Sequence, residues 1–238
     1  MAGGIRFASV GALSVLAILL VVGLIIILIP LFLLGMIGAA FTKLGFSWIS
    51  AIIVVLLMLF GSSVNIPLYR IKRDMVRISP ETTAVFGSDS PWQADPVWET
   101  LVSINLGGAV LPVCISLYLL YQAMSITSTA LLGSVGVGIL IVALITFFAT
   151  RPVPGVGLAV PLLIPALTAL LMGMLLFGGA GISATVVAFV SGTIGTLLGG
   201  NIAQLYRVRD LEVPEMSIGG TGTFSAIFIC CILPALIA

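Results

Sequence analysis

Histidine is missing from this chain and charge is scarce. Among 238 residues there are nine Lys or Arg, eight Asp or Glu and no His. Without imidazole the commonest metal ligand and general base is gone, which excludes a His-dependent triad or a Ser-His dyad. A soluble domain carries about 25% charged residues, and the 7% here cannot solvate a surface of this size. A net charge of +1 provides no basic face, so nucleic acid is excluded as a partner. Cysteine is rare as well: Cys114 and the adjacent Cys230 and Cys231 lie in apolar runs without partners at metal-ligand spacing. They read as small packing residues, and neither a metal nor a cofactor is expected.

What fills the chain is apolar. Hydrophobic residues make up 61% and the mean hydropathy is +1.35, so the expected solvent is the lipid bilayer. A spanning helix needs about 20 mostly apolar residues. The first run extends from Phe7 to Lys43 and contains Pro30, which divides or kinks it. It far exceeds the h-region of a cleaved signal peptide. A second span is expected from Trp48 to Val64. Five more follow over 104–123, 130–149, 158–177, 182–198 and 218–237. Between the second and third lies a polar insertion over 65–103, holding over half of the charges and four prolines. Its stretches "MVRIS" and "TAVFG" have strand-like content. The expected fold is therefore all-α: a polytopic transmembrane bundle of about seven spans, one integral-membrane domain over 1–238, with a small cytoplasmic insertion containing short strands.

Seven crossings place eight of the nine Lys and Arg residues on the N-terminal side and leave only Lys43 opposite. The positive-inside rule then makes that side cytoplasmic. The expectation is a multi-pass plasma-membrane protein with the N-terminus inside and the C-terminus outside.

No ionisable residue falls inside the expected spans. Proton relays, coupled pumps and di-carboxylate proteases station such groups at depth, so the prior moves away from ion coupling and hydrolysis. Neutral polar residues do cluster at span ends that the topology brings to the cytoplasmic side: Asn105, Asn201, Gln204, Thr221, Thr223 and Ser225. They are candidates for a shallow polar cavity, against the plainer account that amides and hydroxyls satisfy helix ends. Ala188 and Gly192 on one stripe of the sixth span, and Gly195 and Gly199 on another, allow close helix packing. This is better explained within one chain than by a dimer seam. The segment "RPVPGVGLAVPLLIP" carries Pro152, Pro154, Gly155, Gly157, Pro161 and Pro165, and is a candidate broken helix lining a cavity.

The blocks "GSSVNIPLYRI" (61–71), "INLGGAVLPV" with "SLYLLY", "RPVPGVGLAVPLLIP", "GTIGTLLGGNI" and "SIGGTGTFSAIF" occur in this order. Together they resemble a prokaryotic polytopic membrane-protein family filed only as a domain of unknown function. The resemblance implies that fold and a polar site between the last two helices. Relatives carry one aspartate in each of those helices, a layout similar to presenilin-type intramembrane aspartyl proteases. The matching positions here are Asn201 and Ser225, and an amide and a hydroxyl cannot serve as a carboxylate dyad. The expected function is thus non-enzymatic: binding a small neutral ligand, or serving as an accessory or scaffold component with a membrane-protein partner or as a homo-oligomer. A degenerate relative of di-aspartyl proteases and a facilitated transporter of a neutral solute are the alternatives.

Overall fold

The computed structural model describes residues 12–72, 99–124, 130–153, 155–177, 179, 181–210 and 213–237. Helix α1 (Ala12–Lys43) runs through Pro30 as one helix. A tight turn leads to α2 (Trp48–Gly61), whose N-cap Ser47 accepts the Ser50 N–H on its hydroxyl. Strands β1 (Asn65–Lys72) and β2 (Glu99–Asn105) follow. A wide π-type turn, Leu106–Val110, then opens into α3 (Leu111–Met124). Pro112 has no N–H to offer the Gly108 carbonyl, which favours that wider turn. After α4 (Ala130–Ala149) come β3 (Arg151–Val153) and β4 (Gly157–Ala159). The chain continues as α5 (Ile164–Phe177), α6 (Ile182–Gly200), a 3-10 helix (Ile202–Asp210), β5 (Glu215–Ile218) and α7 (Phe224–Ile237).

The protein is mostly helical, and among the described residues four segments are long and apolar enough to cross a membrane: Val15–Thr42, Leu106–Met124, Ala130–Ala149 and Ile182–Val208. The other three helices, α2, α5 and α7, have 14 residues each and reach about 21 Å at 1.5 Å per residue, short of the roughly 30 Å hydrocarbon core. Two of them start later than the hydropathy suggests. The fifth span was expected from Leu158, but 157–159 form a strand and the helix begins at Ile164. The seventh was expected from Ile218, but 215–218 form β5 and the helix begins at Phe224. In both places apolar residues serve strand pairing rather than helix, and hydropathy alone does not separate the two uses.

Helix α6 is the axis of the bundle, with 15 of its 19 residues buried. Small residues allow this. A methyl group on Gly199 would collide with the Ala143 carbonyl of α4, and one on Gly195 would lie 2.8 Å from Val142 Cβ. On another side Gly192 faces Ala169 of α5 and Cys230 of α7, and Ala188 presents its Cβ to Gly173 of α5. The two stripes therefore seat different helices of the same chain. Cys230 and Cys231 are buried in this packing, with Thr196 and Thr193 hydroxyls 3.7 Å from their sulfurs.

One end of the bundle carries the strands. β1 pairs antiparallel with β2 from Asn65↔Asn105 to Lys72↔Glu99, with a register shift between Pro67 and Tyr69. Pro67 cannot donate to a ladder, which suits an edge strand with such an irregularity. β2 also pairs with β5, in parallel, from Leu101↔Glu215 to Ile104↔Ile218. Leu158, Val208, Val213 and Met216 form a small core of their own beneath this layer. The stretches "MVRIS" and "TAVFG" lie outside the described residues.

The proline-rich segment is not a broken helix. Arg151–Val153 and Gly157–Ala159 pair as a hairpin, turned through Gly155 and Gly157 at positive φ, with Pro152 exposed on β3. Pro154 lies outside the described residues. Pro161 precedes α5, and Pro165 is buried in its first turn, where a helix N–H has no intrahelical acceptor and its absence breaks no bond. The hairpin is held to the lead-in of α7 by the Val160 N–H, which donates to the Gly222 carbonyl at 2.9 Å.

Candidate functional site

The polar residues converge where helix ends meet the strands. Asn105 is the last residue of β2 and caps the turn into α3: its Oδ1 accepts the Gly108 N–H at 2.7 Å. Its Nδ2 donates to the Ser62 carbonyl at 2.7 Å, just past α2, and to Asn65 Oδ1 at 2.9 Å. Asn65 Oδ1 also accepts from the Ser217 hydroxyl on β5 at 2.6 Å. One amide oxygen thus joins β1, β2 and β5. Nearby on the same sheet, the Ser103 hydroxyl donates to Glu215 Oε1 at 2.7 Å.

Asn201 forms a second node. It is 1% exposed at the C-cap of α6. Its Nδ2 donates to Thr223 Oγ1 at 3.0 Å, and its Oδ1 accepts the Gly219 N–H at 3.2 Å. The two nodes are linked through the backbone of 217–219 and by a close approach of glycines. Gly219 has φ +75°, and a methyl group there would lie 2.7 Å from the Gly108 carbonyl carbon. A methyl group on Gly108 would collide with the Gly219 carbonyl, and one on Gly107 with the Met58 carbonyl of α2. The start of α3 is therefore wedged between α2 and the lead-in of α7.

Gln204 is also buried but points elsewhere. Its Nε2 donates to the Phe147 carbonyl at 2.6 Å, in the last turn of α4, where a helix leaves carbonyls without intrahelical partners. Its Oε1 and the Thr146 hydroxyl are the two buried side-chain polar atoms without a partner among the described residues.

The six sequence candidates thus divide. Asn201 and Thr223 meet, Asn105 belongs to the adjoining node, and Gln204 caps α4. Thr221 and Ser225 are exposed, so Asn201 faces Thr223 rather than Ser225. Asn65 and Ser217 were not among the candidates. Each looks like a loop residue in the sequence, and only the pairing of β1, β2 and β5 brings them together. No group of three or more Cys, Asp or Glu residues suited to a metal occurs among the described residues.

Fold and site define a mostly helical protein whose long apolar helices fit a membrane, with a hydrogen-bonded polar layer at one end. The family model described as "Protein of unknown function (DUF1614)" matches residues 59–237, and the chain belongs to that family. No curated protein and no solved structure matches the chain.

Proposed function

We propose that this is a multi-pass plasma-membrane protein without hydrolytic chemistry of its own, serving as an accessory or scaffold component of a membrane assembly. The observation that supports this reading is the closure of the polar layer. Asn65, Asn105, Asn201, Ser217 and Thr223 satisfy one another and nearby backbone. Asn105, Asn201, Ser217 and Thr223 are buried with a partner each, and a hydrogen-bonded buried network rigidifies a fold and specifies its packing; a binding or catalytic site leaves polar groups free for a substrate. Reconstituted protein should leave a transmembrane peptide intact and move no neutral solute across liposomes. Peptide cleavage that disappears in Asn201→Ala or Ser225→Ala would overturn the proposal.

In this reading the strand-bearing end is cytoplasmic, the N-terminus lies inside and the C-terminus outside, because eight of nine basic residues fall on that side of seven crossings. Short helices such as α2 and α7 are accommodated by local thinning of the bilayer. In a Cys114→Ser background, a cysteine replacing Lys43 should react with an impermeant maleimide in intact cells. One replacing Arg151 should react only after permeabilisation. The opposite pattern would invert the topology.

A second reading, a small neutral ligand, is favoured by Gln204 Oε1 and Thr146 Oγ1, the two buried side-chain oxygens without partners among the described residues. A ligand held there would protect the unfolding transition of the wild type but not of Gln204→Met.

A further inference from the structure

On the outer face of the α4–α6 pair lies an apolar groove of about 490 Å³, lined by residues including Gly136, Leu140, Ala143, Leu144, Phe147 and Leu198. That volume falls in the range of roughly 300–1,000 Å³ usual for small-molecule sites. Its depth comes from glycine: where a Cβ of Gly136 would stand, no neighbouring atom lies within 4 Å. Gly136 therefore has no close neighbour to accommodate, unlike Gly199 across the groove, which seats α4 on α6.

The end of the groove nearest the strands is charged. The Arg207 guanidinium lies 5.5 Å from the ring centroid of Phe147, a groove residue, and 5.4 Å from that of Tyr206. Its Nε donates to the Tyr206 hydroxyl at 2.8 Å. Among the residues whose side chains are described, the one ion pair is Arg70–Glu99. Two aromatic contacts and one hydrogen bond through Nε hold the guanidinium, whose terminal nitrogens form a planar pair of donors, the geometry that suits a phosphate.

We propose that this groove binds an anionic glycerophospholipid of the bilayer, with an acyl chain along Gly136 and Leu140 and the phosphate on Arg207. Charge complementarity selects the occupant: a hydrocarbon trough ending in a fixed cation matches an amphiphile with an apolar tail and an anionic head. A partner's apolar helix would use the trough but leave the arginine idle.

The full chain, delipidated in mild detergent, would be titrated with phosphatidylglycerol and with phosphatidylcholine of the same acyl chains, followed by native mass spectrometry and thermal unfolding. Phosphatidylglycerol should bind at least tenfold more tightly and raise the unfolding temperature. Arg207→Gln should bring its affinity down to that of phosphatidylcholine. Gly136→Leu should abolish the lipid-dependent shift without lowering the lipid-free transition below that of the wild type. Equal binding of the two lipids by the wild type, or a preference that survives both substitutions, would overturn the proposal. So would stabilisation by inorganic phosphate alone equal to that by the lipid.

Discussion

Asn201 and Thr223 lie at the end of α6 and the start of α7, and a single 3.0 Å hydrogen bond joins their side chains. Between them the chain makes a 3-10 helix and a strand, yet it returns to within hydrogen-bonding reach of where it left. The remaining acceptor of the same amide takes the Gly219 N–H. One side chain therefore fixes both ends of a 22-residue excursion, and through Gly219 it also bears on the start of α3.

Replacing Asn201 by leucine keeps the approximate volume and removes both functions of the amide. The buried Gly219 N–H loses its acceptor, and a buried donor left unpaired costs about 1–3 kcal/mol. Thermal unfolding in detergent should show Asn201→Leu less stable by that amount. Thr223→Val should cost less, because the Asn201 amide keeps its bond to Gly219. Equal losses for the two would mean that the hydroxyl, not the amide, anchors the excursion.

Introducing two carboxylates should not create a protease. A working dyad needs both groups within reach of one substrate and of each other, whereas Asn201 is buried against Thr223 and Ser225 is exposed. A chain carrying Asn201→Asp and Ser225→Asp together is expected to leave a transmembrane peptide uncut after reconstitution. Cleavage by the double variant alone would show that these two positions can converge.

Glycine positions separate by what surrounds them. At Gly108 a methyl group meets the backbone carbonyl of Gly219, and neither segment can swing aside as a flexible side chain would. At Gly133 nothing stands within 4 Å. Gly108→Ala should lower the yield of folded protein sharply, in the manner of overpacking, which costs about 1–3 kcal/mol or more. Gly133→Ala should be neutral or stabilising by about 0.5–1 kcal/mol, since alanine restricts the helix backbone less unfavourably. Size-exclusion profiles and unfolding temperatures of the two variants check the ordering.

How much of this was readable beforehand depends on the range of the interaction. Apolar length found α1, α3, α4 and α6, because a helix satisfies its own backbone and hydropathy reports that directly. Asn105 at the start of the third span was visible for the same reason: an N-cap acts on a residue three positions away. Asn65 was not, because its partners Asn105 and Ser217 are 40 and 152 residues distant. β5 escaped for a related reason. The residues "EMSI" look like polar loop followed by helix, and their strand character comes from lying beside β2. The proline-rich hairpin misled differently: prolines and glycines mark an interruption but do not say whether a broken helix or a hairpin fills it.

The two ties across β1 and β2 should differ greatly in weight. Arg70 and Glu99 form an ion pair at 3.1 Å with side chains 68% and 37% exposed, and such pairs contribute about 0–1 kcal/mol. Asn105 is buried and serves Gly108, Ser62 and Asn65 at once. Glu99→Gln is expected to shift unfolding by less than about 0.5 kcal/mol, whereas Asn105→Ala should cost about 1–3 kcal/mol through the lost cap and the unpaired groups. Raising the salt concentration should move the first effect and not the second.

Gln204 provides the sharpest test of whether burial alone measures a polar residue's worth. Like Asn201 it is fully enclosed, but it makes one side-chain bond, to the Phe147 carbonyl, and carries an acceptor without a partner. Substitution by methionine, close in shape, removes a favourable bond and an unfavourable orphan together. The carbonyl it leaves behind lies in the last turn of α4, which has other polar neighbours: the Thr150 hydroxyl already donates to the adjacent Thr146 carbonyl. The two effects oppose each other, since a lost hydrogen bond is worth about 0.5–1.5 kcal/mol and relief of a desolvated acceptor is of similar size. Gln204→Met should therefore unfold within about 1 kcal/mol of the wild type, well short of Asn201→Leu measured in the same detergent. A loss as large as that of Asn201→Leu would mean that Gln204 Oε1 has a partner in the membrane-embedded protein, and the binding of a neutral ligand or ordered water beside Thr146 would become the better account of this end of the bundle.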